Sequence, residues 1–180
     1  RDTAECTLTI QADCAFDWLG VRTTCDDCCV ILCPEGGIAE GEPVCFDGYV
    51  DEYNPGCINE FFTYPDDWTP IADGQTICGE MGTYTTDGSD LRDTDWYSIN
   101  LQAGDQVSWT VSTEVISFIA ILNDGCDDQL EQLASGFTDT ACTPTTISAV
   151  VATAGEHSMV VAPGVVNGVA CSDKYNNSVA

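Results

Sequence analysis

Basic side chains are nearly missing from this sequence. Among 180 residues only Arg1, Arg22, Arg92 and Lys174 are cationic, and His157 is the single histidine. A surface that neutralises phosphates needs clustered Lys and Arg, so DNA, RNA and anionic membranes are excluded as partners. Long apolar runs are missing too. The longest, 116–122, is interrupted by Ser117, far short of the ~20 residues of a spanning helix. There is no Gly-x-Ser-x-Gly turn to expose a nucleophilic serine, and one histidine beside Met159 and Val161 reads as a core residue rather than a general base. No residue is assigned a catalytic role, and the chain reads as a non-enzyme.

What is abundant is acid and sulfur. Thirty Asp and Glu against four bases give a formal net charge of −26. The charge is even: residues 1–70 and 71–180 each hold fifteen acids and two bases. Repulsion on this scale opposes compaction unless cations, salt or covalent links offset it. Twelve cysteines spread along the whole chain are a disulfide set of an oxidising compartment, so the protein is expected outside the cell or at its surface. The chain starts at Arg1 with no charged-then-apolar leader, which reads as a mature product after export. Only Cys25-x-x-Cys28-Cys29-x-x-x-Cys33 has spacing that suits zinc or an iron–sulfur cluster. No histidine lies nearby, and disulfides are the preferred reading.

Three textures follow one another. Residues 1–33 are cysteine-dense, with strand-like patterns at 7–11 and 30–32. Residues 34–70 are rich in Pro, Gly and acids, with Tyr49, Tyr53, Phe61, Phe62, Tyr64 and Trp68 interleaved; this forms a connector unable to sustain helix or long strand. Those aromatics either cover a core edge or form a sugar-stacking platform. From residue 71 onward alternation dominates. Tyr97, Ile99 and Leu101, a turn at Ala103-Gly104-Asp105, then Val107, Trp109 and Val111 predict a hairpin. Further strands are expected at 116–122, 145–152, 156–162 and 174–180, and a brief helix at 128–135. The spacing of strands and turns is that of a β-sandwich.

The run Arg92-Asp93-Thr94-Asp95-Trp96-Tyr97-Ser98-Ile99, with Ala103-Gly104-Asp105 after it, resembles the core of bacterial pre-peptidase C-terminal (PPC-like) domains. Ala154-Gly155-Glu156-His157 and Ala170-Cys171-Ser172-Asp173-Lys174-Tyr175 are similar to that family's later strands, and Pro34-Glu35-Gly36-Gly37 through Cys57 to a segment that precedes such domains in cysteine-rich secreted proteins. The resemblance covers residues 71–180. It implies an all-β, jelly-roll or Ig-like sandwich with a disulfide-rich N-terminal extension, usually without catalysis, bound to calcium in some members and used for adhesion in others. The last strand looks clipped at Asn176-Asn177-Ser178-Val179-Ala180, leaving an unpaired sheet edge.

Candidate sites follow from these patterns. Asp87, Ser89, Asp90, Asp93 and Asp95 put hard oxygen ligands on a turn entering a strand, a candidate Ca2+ site, with Asp124, Asp127 and Asp128 a lesser one. Local pairing favours Cys45 with Cys57, Cys126 with Cys142 and Cys78 with Cys171; pairing among Cys6, Cys14, Cys25, Cys28, Cys29 and Cys33 is left open. The functional expectation is a structural or adhesive protein that adds a strand from 5–12 of one copy to an edge near 174–180 of the next, giving a filament. The alternative is a calcium-dependent carbohydrate- or substrate-binding module of a secreted hydrolase.

Overall fold

The computed structural model describes residues 30–57, 67–123, 131–139 and 141–180. Arg1–Val30 and Ile31–Ala180 are two compact units, and the fold below is that of the second. The strand pattern at 7–11, the donor 5–12 and Cys126 lie outside the described residues.

The second unit is a β-sandwich. Its strands are β1 (Ile38–Ala39), β2 (Thr69–Pro70), β3 (Thr76–Met81), β4 (Thr83–Thr86), β5 (Ser89–Arg92), β6 (Asp95–Leu101), β7 (Gln106–Thr113), β8 (Ser117–Leu122), β9 (Gln132–Phe137), β10 (Thr145–Val150), β11 (Gly155–Pro163) and β12 (Asp173–Val179). One sheet has the order β1-β3-β12-β7-β10 and the other β2-β6-β11-β8-β9, with β4-β5 a separate ribbon. Alternate residues point inward. Ile77, Val107, Trp109, Val111 and Tyr175 from the first sheet meet Tyr97, Ile119, Ile121, Met159 and Val161 from the second in one buried core. Trp109 is wholly buried, and its indole N–H donates to Asn177 Oδ1 at 3.3 Å. His157 is buried in line with Met159, its Nδ1 3.1 Å from the Gly155 carbonyl.

The strand positions expected at 116–122, 145–152, 156–162 and 174–180 are found, but several expectations need correction. β6 and β7 do not pair with each other as a hairpin. They lie in opposite sheets, because both bury their apolar faces in the same interior and the turn at 102–105 therefore crosses the sandwich. The 132–137 stretch is strand, not helix: pairing with β8 overrides a weak local preference. Residues 30–32 form no strand. The last strand is not clipped, since β12 pairs with β3 on one side and β7 on the other. It is the centre of its sheet, so the expected acceptor edge at 174–180 does not exist.

Two proposed disulfides are also overturned. Cys33 bonds Cys78 and Cys45 bonds Cys171, with Cα–Cα distances of 5.7 and 5.2 Å, so neither Cys45–Cys57 nor Cys78–Cys171 forms. The reason is side-chain direction. Ile77 points into the core, so Cys78 points out of β3 toward the segment lying over it, and the bridges join that segment to the sandwich instead of closing loops within either part. Cys57 and Cys142 are disulfide-bonded as well.

Candidate metal centre

Residues 33–57, bridged to the sandwich at Cys33 and Cys45, form an arm that closes one flank of it. β1 runs parallel to β3, Ile38 opposite Ile77 and Ala39 opposite Cys78, and the Glu40 N–H donates to the Cys78 carbonyl at 2.8 Å. The next residue of β3 is Gly79, which also faces Tyr175 across the β3–β12 pair. A Cβ at Gly79 would collide with Glu40 Oε2 and the Tyr175 hydroxyl. Its absence is what admits the Glu40 carboxylate to the interior.

There Glu40 is the most completely hydrogen-bonded acid of the group. Oε1 accepts from Asn54 Nδ2 and from the Tyr97 hydroxyl, each at 2.6 Å, and Oε2 accepts from the Tyr175 hydroxyl at 2.8 Å. The Tyr53 hydroxyl donates to the Glu40 carbonyl. Glu42 Oε1 accepts from the Tyr49 hydroxyl at 2.7 Å. Tyr49 in turn is buried edge-to-face on Tyr84 of β4, 5.3 Å between centroids, which fixes the arm against the β4–β5 ribbon.

Three more carboxylates converge on these two. Asp93 and Asp95 enter from the start of β6, and Asp51 from the arm. Glu40, Glu42 and Asp95 place one oxygen each within 4.8 Å of one another, and so do Glu42, Asp51 and Asp93. Glu42 belongs to both groups. Asp95 is 0% exposed and Asp93 2%. Yet both oxygens of Asp95, Asp93 Oδ1, Asp51 Oδ1, Glu42 Oε2 and Asn54 Oδ1 have no hydrogen-bond partner. Neither cluster contains a basic side chain; Arg92, the cation nearest in sequence, gives its Nη1 to the Pro163 carbonyl.

Three buried carboxylates, Glu40, Asp93 and Asp95, crowded against half-buried Glu42 and Asp51 with no basic side chain among them, cannot all stay ionised. Burial pushes Asp51 up to about 7. Burial and then the Tyr49-opposed charges of Glu40 and Asp51 push Glu42 up to about 8. Burial, followed by Glu42, Asp51 and Glu40, pushes Asp93 up to about 9. Asp95 is raised chiefly by burial and then by Glu40, and Glu40 by burial against the pull of its hydroxyl and amide donors. Protons are one way to relieve this crowding. A divalent cation is the other, and the donor set suits one: every donor is a hard oxygen, none is sulfur or imidazole, and the bare lone pairs point to a common space.

Asp93 and Asp95 of the sequence-derived set lie in this cluster. Asp87 and Asp90 do not. They sit at the exposed tip of the β4–β5 ribbon, where Asp87 takes a left-handed turn conformation (φ 49°). Asp90 accepts from Thr85 Oγ1 and Asn167 Nδ2 at 3.2 and 3.3 Å. Glu40, Glu42, Asp51 and Asn54 were not foreseen. The usable signal was spacing: Asp93-x-Asp95 leads into β6 with two acids two residues apart, and Glu40-x-Glu42 repeats that spacing across Gly41, whose left-handed conformation (φ 90°) turns the chain between them. Of the aromatics considered as a sugar platform, Tyr49 is buried and Trp68 packs beside Trp96. Phe61, Phe62 and Tyr64, like Asp124, Asp127 and Asp128, lie outside the described residues. A groove of about 520 Å³ between the ribbon and the outer face of the β6-β11-β8 sheet adjoins the cluster at Asp51 and Tyr49 and is lined further by Tyr84, Trp96, Phe118 and Arg92.

No family model and no curated protein matches the sequence. Among solved structures, the chain is similar to the pre-peptidase C-terminal domain of a collagenase from Bacillus anthracis, at 19% identity over 64% of this chain and 97% of that one, TM-score 0.44. It is also similar to PliG from Aeromonas hydrophila, a periplasmic inhibitor of g-type lysozyme, at 14% identity over 62% and 95%, TM-score 0.40. A CBM4 protein follows at 12% identity over 51% and 61%, TM-score 0.34.

Proposed function

We propose that this chain is a non-catalytic extracellular binding scaffold whose arm is joined to its sandwich by two disulfides and a buried Ca2+ centre, and which works by associating with copies of itself. One observation supports the cation above all others: Asp95, wholly buried, has both carboxylate oxygens unpaired inside a cluster of five acids. Glu40, Asp95 and Glu42 would hold one ion and Glu42, Asp51 and Asp93 a second or the same one. The ion would supply charge neutralisation and a cross-link between arm and sandwich, with no chemistry of its own. Two disulfides support an oxidising compartment for it. Among the described residues no helix is long and apolar enough to cross a membrane.

The test is isothermal titration of chelator-treated protein with CaCl2. Saturable binding that is lost in Asp95→Asn and Glu42→Gln but kept in Asp87→Asn supports the reading; equal binding by all four proteins, or by none, overturns it. A second reading, glycan binding, is favoured by the aromatic floor of the groove at Tyr84, Trp96 and Phe118. Affinity electrophoresis in soluble polysaccharides checks it, with Trp96→Ala expected to run unretarded if it holds.

A further inference from the structure

The two flanks of the sandwich are built differently. On one, the edge strands β1 and β2 are two residues each, and the arm with its carboxylates seals the gap between the sheets. On the other, β9 and β10 are the edges of their sheets, six residues each, Gln-Leu-Ala-Ser-Gly-Phe and Thr-Thr-Ile-Ser-Ala-Val. Ile147 of β10 lies over Gly136 of β9, so both edges open on the same flank. In a chain with thirty acids, neither strand holds a charge or a proline. The nearest acids in sequence, Glu131 and Asp139, stand beyond the two ends of β9.

Natural sheet edges are normally protected by an inward or edge charge, a proline, a bulge, a short strand or a cover. β10 has none of the first three, and among the described residues no strand lies along its outer edge. Its register with β7 is continuous from Thr145–Val111 to Val150–Gln106. The Val151 N–H donates to the Asp105 carbonyl at 2.9 Å. By the alternation of an antiparallel ladder, odd-numbered residues of β10 then bond to β7, and Thr146, Ser148 and Val150 direct their N–H and C=O groups away from it. The strand is held flat by cross-strand hydroxyl pairs on its exposed face, Ser108–Ser148 at 2.9 Å and Thr110–Thr146 at 2.7 Å. Val150, 67% exposed, and Phe137, 54% exposed, add apolar surface to this flank.

We infer that the β9–β10 flank is a self-association surface, on which β10 pairs antiparallel with β10 of a second copy. The partner is identified by charge. Two chains of net charge −26 repel on most approaches within a screening length of about 8 Å, and this flank brings two uncharged strands together. Antiparallel pairing of an edge with itself is related by a two-fold axis, which closes at two subunits. Among the described residues the sealed flank offers no second acceptor edge of comparable length, so β10–β10 pairing gives a dimer with one continuous ten-stranded sheet and not an open fibre. The inference rests on the self-association part of the proposed function and is independent of the cation.

The experiment is sedimentation velocity of the intact, oxidised, calcium-loaded protein across a dilution series, with hydrogen exchange at the two ends of that series. The expected result is a monomer–dimer equilibrium in which the amides of Thr146, Ser148 and Val150 exchange slowly in the dimer and rapidly in the monomer. Ser148→Pro removes an outward N–H without touching the ladder to β7, and Ser148→Lys places a charge on the edge. Each is expected to weaken dimerisation about tenfold or more. Near-UV circular dichroism and melting temperature establish that both variants remain folded. A monomer at all concentrations overturns both the inference and self-association. Larger assemblies unaffected by either variant overturn the two-fold β10 contact while leaving self-association standing.

Discussion

Withdrawing divalent cation should reverse the pH dependence of this protein's stability. The perturbation is exhaustive chelation, followed by thermal unfolding between about pH 5 and pH 9, with a parallel series in millimolar CaCl2. In the ion-free chain the carboxyls of the cluster are raised: Asp51 to about 7, Glu42 to about 8 and Asp93 to about 9. A carboxyl raised by folding holds its proton more tightly in the native state than in the unfolded chain. Its stabilising effect is complete below the unfolded value near 4 and is lost as pH rises through the folded value. The smallest of the three printed rises, Asp51 from 3.8 to about 7, corresponds to about 4 kcal/mol. About 3 kcal/mol of that is lost above pH 5, which for a domain of this size is a fall in melting temperature on the order of 6–12 °C between about pH 5 and pH 9. Bound cation replaces the protons, so the calcium series should hold level or rise over the same interval. Net repulsion among the remaining acids also lowers stability at high pH, and Glu42→Gln separates the two effects: it should shrink the ion-free slope and abolish the gain from calcium. An ion-free melting temperature that is flat with pH, or a calcium response unchanged in Glu42→Gln, would refute the reasoning.

Other outcomes follow from the same geometry. Asp90→Asn should leave the calcium-dependent rise in melting temperature within about 1 °C of wild type, because its carboxylate is exposed and bonded to Thr85 and Asn167; Asp95→Asn should remove it. Gly79→Ala drives a methyl into the Glu40 carboxylate and the Tyr175 hydroxyl. The expected loss is about 1–3 kcal/mol, read by denaturant titration, and it should fall most heavily on the calcium-loaded form. Peptide mapping of non-reduced protein after Asp-directed cleavage should recover Cys33 linked to Cys78 and Cys45 to Cys171. A Cys45–Cys57 peptide in its place would contradict the docking of the arm.

Much of the sandwich was legible because its strands are marked by period-two alternation with buried aromatics, as in Tyr97–Ile99 and Val107–Trp109–Val111. Alternation reports that a strand has one buried face; it does not report which sheet the strand joins. That is why β6–turn–β7, two well-marked strands with a short turn, read as a hairpin although it crosses between sheets. β12 looked weak for a related reason. Asn176, Asn177 and Ser178 are polar, but Asn177 is inward and used by the Trp109 indole, while Asn176 donates from the outer face to the Leu32 carbonyl at 3.3 Å. Two of the five acids of the cluster were legible in Asp93-x-Asp95. The other three were hidden, because nothing local says that a Pro- and Gly-rich connector folds back over β3; that depends on Cys78 facing outward and on Gly79 lacking a side chain.

The distribution of charge separates the two flanks, one crowded with carboxylates that the proposed ion would neutralise and the other with none in its edge strands. On the arm flank, short edges are sealed by a segment that carries Glu40, Glu42 and Asp51 inward, where Arg92, nearest of the described cations in sequence, gives its Nη1 to the Pro163 carbonyl and not to these acids. Burial of that segment is favourable only if protons or a cation neutralise the acids, so on the proposed reading closure of this flank depends on pH and on calcium. The disulfides on either side of Glu40 and Glu42 make the condition local: losing the ion loosens the packing around Glu42 and Asp95, while Cys33–Cys78 and Cys45–Cys171 keep the arm tethered. The opposite flank has no acid in either edge strand and therefore no such condition. Dimerisation through β10 should accordingly be far less sensitive to chelator than melting temperature is. Sedimentation at a fixed concentration with and without calcium measures this directly: a dimer that dissociates on chelation below the unfolding transition would mean that the two flanks are coupled, and that the arm, not β10, carries the contact.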